Sequence, residues 1–265
     1  MVNLNELLHR LIAEFLELEN IVGITMSGSK VSNQNDDLSD INLDFYVTEP
    51  IPLEKRRPIL LKFSTGVELN DSCYQTSDCF ILDDFPIKIT LSYITLKTLQ
   101  SELTSVLGEA KAKIGYSTCL IHHFLTSTIL IDPHHQLNEL QQTYQGQYPD
   151  LLKQHIIDLN LPLLKLTPSS YYHQLEQALI RQDWIAILAQ VNKFLISYFD
   201  ILFAINKCYH PGEKRLIQQV KEQCLKYPPE LEEKIKQLMS LAASGSEELL
   251  IIMDNMIEEL QGLLN

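Results

Sequence analysis

Leu4, Leu7, Leu8, Leu11, Ile12, Phe15 and Leu16 recur at helical spacing with acidic residues between them, which predicts an amphipathic helix at the start of the chain. The apolar run 21–26 then reads as a short buried strand. Over 41–47 the period changes to two: Ile41, Leu43, Phe45 and Val47 alternate with Asn42, Asp44 and Tyr46, so the first set packs inward. Glu49-Pro50-Ile51-Pro52 ends that strand. Residues 63–69 offer a third strand, weakened by Gly66. Segments 77–82 and 87–93 form a hairpin around Asp83-Asp84-Phe85-Pro86.

Beyond about residue 95 the apolar positions keep helical spacing, in segments 96–107, 116–130, 137–144, 151–159, 171–181, 184–209, 214–226, 231–241 and 247–264. Breaks fall at Gly108, Asp132-Pro133, Tyr148-Pro149, Thr167-Pro168, His210-Pro211-Gly212 and Tyr227-Pro228-Pro229. Thr167 or Ser169, and later Ser246, supply helix caps. Trp184, Ile185, Leu188, Val191 and Phe194 read as core. The expectation is an α+β protein: a small mixed-sheet domain over 1–107, followed by an all-helical bundle over 108–265.

The 265 residues carry a net charge of −13. That argues against a nucleic-acid polymer as partner, because phosphate backbones are met with basic surfaces. It leaves room for a single nucleotide. No segment reaches the roughly 18 consecutive apolar residues of a membrane span. Glu6, Glu14, Glu17 and Glu19 interrupt any signal-peptide core. Five cysteines without CxxC spacing predict reduced thiols in a cytoplasmic protein.

The segment with the most chemistry follows the first strand. Ser27-Gly28-Ser29 makes a turn, and Ser39-Asp40-Ile41-Asn42-Leu43-Asp44 follows about a dozen residues later. Such a turn offers backbone N–H groups and a hydroxyl to phosphate oxygens. The period of two puts Asp40, Asn42 and Asp44 on one strand face, and grouped oxygen ligands suit Mg²⁺. Two such ions can clamp an in-line displacement at phosphorus.

This arrangement resembles the nucleotidyltransferase superfamily related to DNA polymerase β, in which Gly-Ser is followed by Asp-x-Asp on a strand. Within it the chain is similar to the bacterial antibiotic-adenylyltransferase-like branch, which adds a helical C-terminal domain. Ile129-Leu130-Ile131-Asp132-Pro133 resembles a connector of that branch, and Asn206-Lys207-Cys208-Tyr209-His210-Pro211-Gly212-Glu213-Lys214-Arg215 a segment of its second domain. The resemblance implies that Ser27, Gly28 and Ser29 hold the phosphates of a nucleoside triphosphate, with Lys214 reaching them from the helical domain. It also implies that Asp40, with Asn42 or Asp44, holds Mg²⁺, and that the helical domain presents the acceptor across a cleft. Asp40 and Asp44 are then the candidate catalytic carboxylates.

The departures from that pattern matter. Asn42 stands where a second carboxylate belongs, and Thr90, flanked on its face by Lys88 and Ser92, where the resemblance implies a third. An unactivated hydroxyl is no general base. Asp44 can stand in for the missing acid or be a residue on a solvated face; Glu68 is a distant substitute. Lys214 and Arg215 can be phosphate ligands or a solvated helix end. His122-His123 and His134-His135 are adjacent pairs whose side chains diverge, so they give no zinc site. No Ser-His-Asp or GxSxG arrangement appears. The expectation is a cytoplasmic nucleotidyltransferase-like protein moving a nucleoside monophosphate onto a hydroxyl of a small molecule, with a degenerate site. The alternative is a non-catalytic nucleotide-binding or regulatory protein on the same fold.

Overall fold

The computed structural model describes residues 3–27, 40–71 and 76–264. Helix α1 (Leu4–Leu16) opens on a capping box in which the Asn3 side chain accepts from the helix and Glu6 reaches back to Asn3. It is followed by β1 (Ile21–Ser27), β2 (Ile41–Val47), α2 (Leu53–Leu60), β3 (Val67–Asp71), β4 (Ser77–Ile81) and β5 (Lys88–Thr95). Then come α3 (Leu96–Leu103), which widens into a π turn at Thr104–Gly108, α4 (Cys119–Thr126), β6 (Thr128–Ile131) and α5 (Gln136–Tyr144). The remainder is helical: α6 (Asp150–Leu161), α7 (Tyr171–Ile180), α8 (Trp184–Ile205), α9 (Leu216–Gln223), α10 (Leu231–Ser244) and α11 (Glu248–Gly262). The class is α+β, as the periodicities predict.

The chain forms two compact units. One comprises Met1–Leu103 with His123–Gln145, the other Thr104–His122 with Gly146–Asn265. The division therefore differs from a single cut after residue 107. Strand β6 returns to the sheet, where it pairs antiparallel with β1. The expected helix over 116–130 is a short helix plus this strand, because the Ser127 hydroxyl donates to the Phe124 carbonyl and closes α4.

The sheet of the first unit runs β3-β4-β5-β2-β1-β6. β2 pairs parallel with β5, and the other pairings are antiparallel. On one face Ile41, Leu43, Phe45, Ile24, Ile89 and Leu91 are buried with Leu7, Leu11 and Phe15 of α1. The Phe15 and Phe45 rings stand 4.7 Å apart. Each such side chain contributes about 1.5–3 kcal/mol by leaving water. The opposite face of β2 is covered as well: Asp44 and Tyr46 are 1% and 0% exposed.

Helix α2 was not foreseen from the sequence, and the third strand starts at Val67 rather than Phe63. Pro52 sits at the N-cap of α2, where its fixed φ suits a helix entrance, and Pro58 lies inside. The short helix buries Arg56 against Asp78.

In the second unit α8 is the central element. Phe194, Tyr198, Ile201, Leu202 and Phe203 are at most 0% exposed and pack with residues of α7, α10 and α11. By length and composition α8 could cross a membrane, yet 61% of its apolar window is buried within the protein. Trp184, Ile185 and Leu188, expected in the core, lie at its exposed N-terminal end, although the Trp184 ring packs on Gly245.

Candidate functional site

The turn after β1 was the chemical focus of the sequence, and Gly28 and Ser29 lie outside the described residues. The strand ends that flank it are defined. Ser27 closes β1, and its Cα partner on β2 is Asn42, whose partner on β5 is Thr90. Side chains opposite one another in a sheet share a face. Ser27, Asn42 and Thr90 thus form one row across three strands. Asp40 precedes β2 and is half-buried, as are Asn42 and Thr90. The Thr90 hydroxyl donates to Cys79 Sγ at 4.0 Å.

One step deeper, Thr25, Asp44 and Ser92 form the next row. Asp44 is not on a solvated face. His123 Nε2 donates to Asp44 Oδ2 at 2.7 Å, and the Ser27 hydroxyl donates to the same oxygen at 3.5 Å. Burial works against a charged His123, but the hydrogen bond and the charge of Asp44 outweigh it and set its pKa above the ordinary value. The His123 side chain remains 41% exposed. Beside it, burial and then the Asp44 charge hold the Tyr46 phenol firmly protonated. The Tyr46 ring meets Phe124 edge-on at 5.8 Å.

Helix α4 brings His123 and Phe124 onto this face. Gln141 of α5 fixes the end of α4 by donating to the Phe124 and Ser127 carbonyls at 2.8 and 3.1 Å. Gly23 allows the close approach: a Cβ there would stand 2.6 Å from Leu137 Cδ1 and 2.8 Å from the Ile131 carbonyl oxygen.

The fold therefore assembles a serine, a histidine and an aspartate that no local pattern announced. They do not form a nucleophile relay. Such a relay needs the serine on one ring nitrogen and the aspartate on the other. Here Ser27 Oγ, 3.3 Å away, and Asp44 Oδ2 address the same Nε2. That nitrogen is committed to the carboxylate, so it cannot take the Ser27 proton.

The donor set also does not suit a pair of Mg²⁺ ions. The outer row offers one amide oxygen and two hydroxyls beside Asp40, and Asp44 is occupied by His123. Among the described residues no group of three His, Cys, Asp or Glu side chains could hold a metal. A hard divalent cation wants carboxylates that this row lacks.

Lys214 belongs to the helical unit. It is exposed and precedes α9 rather than opening it, because Arg215 takes a left-handed backbone (φ 52°) before the helix starts at Leu216. The turn ahead of it is well anchored. Gly212 N donates to His210 Nδ1 at 3.0 Å, the Tyr116 hydroxyl donates to Glu213 at 2.6 Å, and His210 N donates to Thr118 Oγ1 at 2.7 Å. The His210 ring is fully buried between Tyr116 and Phe203, and burial pulls its pKa down to about 4. Nearby, Asp200 accepts from Ser117 N at 3.0 Å and Ser117 Oγ at 2.7 Å. Burial pushes its pKa up to about 6 against those two hydrogen bonds. The charge of His122 adds to burial in lowering the His210 pKa.

A family model described as "Domain of unknown function (DUF4037)" matches residues 116–216, the stretch that includes α4, α8 and the His210–Gly212 turn. No curated protein matches the chain. Among solved structures it is similar to a nucleotidyltransferase-like protein from Exiguobacterium sibiricum 255-15, with 12% sequence identity and a TM-score of 0.45, over 99% of this chain and 74% of that one.

Proposed function

We propose that the chain is a nucleotidyltransferase-like protein that binds a nucleoside triphosphate at the β1–β2 end of its sheet and transfers the nucleotidyl group slowly or not at all. The observation that carries this reading is the neutral row Ser27, Asn42 and Thr90, backed by an Asp44 already bonded to His123. The Ser27-Gly28-Ser29 sequence supports phosphate binding by its resemblance, and the net charge of −13 favours a single nucleotide over a polymer. Asp40 is the remaining carboxylate for an ion carried in with the nucleotide. Transfer to a hydroxyl of a small molecule would need an acid that the row lacks.

Thermal shift with ATP and with GTP, each with and without Mg²⁺, tests binding, and labelled ATP with a panel of hydroxyl acceptors tests transfer. A rise in Tm with at least one nucleotide and no label transfer is the expected result. Absence of any shift at millimolar nucleotide overturns the binding, and brisk transfer overturns the degenerate site.

A further inference from the structure

Cys208 and Cys224 are set against each other across a doubly bridged junction in the helical unit. Asn206 Nδ2 donates to the Lys226 carbonyl at 2.7 Å, and Lys226 N donates to Asn206 Oδ1 at 2.8 Å. Two residues further in on each side stand the cysteines. The Cys208 thiol donates to the Gln223 carbonyl at 3.2 Å, so its sulfur lies one peptide unit from Cys224. Both backbones are held: Cys208 N donates to Phe203 O at 3.0 Å and Cys224 N to Val220 O at 2.9 Å. Both thiols are free.

The two are unequal. Cys208 is half-buried, whereas Cys224 is 6% exposed. The interaction with Cys224 outweighs burial and draws the Cys208 thiol down to about 7, while Cys224, through the same interaction and burial, is pushed up. Elsewhere the thiol of Cys119 is raised by burial and by the charges of Asp200 and Glu213. A half-buried thiol with a buried second thiol one peptide unit away is the arrangement of a peroxide-sensitive pair.

We propose that Cys208 and Cys224 form a reversible disulfide on exposure to hydrogen peroxide, with Cys208 as the attacking thiol and Cys224 as the resolving one. The Cys208 thiolate attacks one peroxide oxygen and breaks the O–O bond, giving a sulfenic acid and a hydroxide that leaves as water with the thiol's proton. Cys224 then attacks the Cys208 sulfur and expels the hydroxide, which takes the Cys224 proton and leaves as a second water. The two sulfurs are oxidised and the peroxide is reduced. The bridge closes the chain around the Tyr209–Arg215 turn and α9, tying both to the end of α8.

The test is peroxide treatment of the folded full chain, alkylation of the remaining thiols, and peptide mass spectrometry. The expected result is a linked pair containing Cys208 and Cys224, lighter by two hydrogens and released by dithiothreitol, with Cys79 and Cys119 alkylated. Amide exchange over 209–223 should slow in the bridged form. In C224S the Cys208 sulfenic acid should persist and be captured by dimedone, and in C208S no bridge should form. The wild-type measurement decides even where a serine variant fails to fold. Full alkylation of both cysteines after peroxide, or a bridge from either to a different cysteine forming first, overturns the proposal.

Discussion

His123 donates to Asp44 across 79 positions of sequence, at 2.7 Å, and so joins α4 to the middle of the sheet. H123A would leave the buried carboxylate with the 3.5 Å contact from Ser27. We expect a loss of about 1–3 kcal/mol, the usual cost of an orphaned buried polar group. D44N should lower the His123 pKa, read from its imidazole NMR titration. The sign follows from a raised folded pKa: the stabilisation is present at acidic pH and fades as pH rises through that pKa. The D44N deficit should therefore be larger at pH 6 than at pH 9. An unchanged His123 titration in folded D44N would count against the pairing.

Arg56 and Asp78 are 3% and 0% exposed and joined at 2.6 Å. The Tyr93 hydroxyl also donates to Asp78, at 2.9 Å, and the guanidinium lies 4.6 Å over the Tyr93 ring. R56M strands a buried charge and should cost about 3–5 kcal/mol in denaturant titration. R56M with D78N removes the charge while keeping an acceptor for Tyr93, so much of that loss should return. A double variant as unstable as R56M would show that the packing of Arg56, not its charge, is what the sheet needs.

Asn42 and Thr90 are partners in the parallel β2–β5 ladder. N42D with T90D should gather two new carboxylates beside Asp40 and bind Mn²⁺ or Mg²⁺ at least about tenfold more tightly than the wild type, about 1.4 kcal/mol. Calorimetry on the folded variant measures this. No gain would place the ion site of this fold elsewhere.

Asp200, 1% exposed, has its pKa raised by burial to about 6. Its folded state thus holds a proton that the unfolded chain releases nearer the ordinary carboxylate value of 3.8. Stability from this group is full below that value and is lost as pH rises through about 6, by up to about 3 kcal/mol at 1.36 kcal/mol per unit. Asn at 200 can still accept from Ser117 N and can donate to Ser117 Oγ, whose hydroxyl then serves the Lys113 carbonyl. D200N should flatten the decline between pH 4 and 7 in urea midpoints. An equally steep decline in D200N would assign the pH dependence to other groups.

Strands β1, β2, β4 and β5 were legible because their apolar runs are short, alternating and bounded by turns. The helices of the second unit were legible because their period is sustained. β6 was not: Ile129-Leu130-Ile131 is too short to distinguish strand from helix, and only the pairing with β1 decides it. Pro50, Pro52 and Pro58 concealed α2, since the same residue that breaks a helix inside can start one. Of the site, the neutral identities of Asn42 and Thr90 were visible, and the position of Thr90 was expected by resemblance, but the register that aligns both with Ser27 comes only from the strand pairing. The engagement of Asp44 was invisible, because it depends on a histidine from a later segment with no local signal. The burial predicted for Trp184, Ile185 and Leu188 failed because periodicity gives a helix its apolar stripe but not the length over which neighbours cover it.

Strand β6 also sets an order in time. As the chain leaves the ribosome, β1 through β5 emerge with the outer side of β1 still open, its backbone groups unpaired and the notch at Gly23 empty. The chain must reach Ile131 before that side is paired and Leu137 before the notch is filled. An open strand edge is the kind of surface that recruits a second nascent chain. Ending translation near residue 107 would therefore leave a sticky half-sheet, and the residues that cover it are the continuation of the helix that delivers His123.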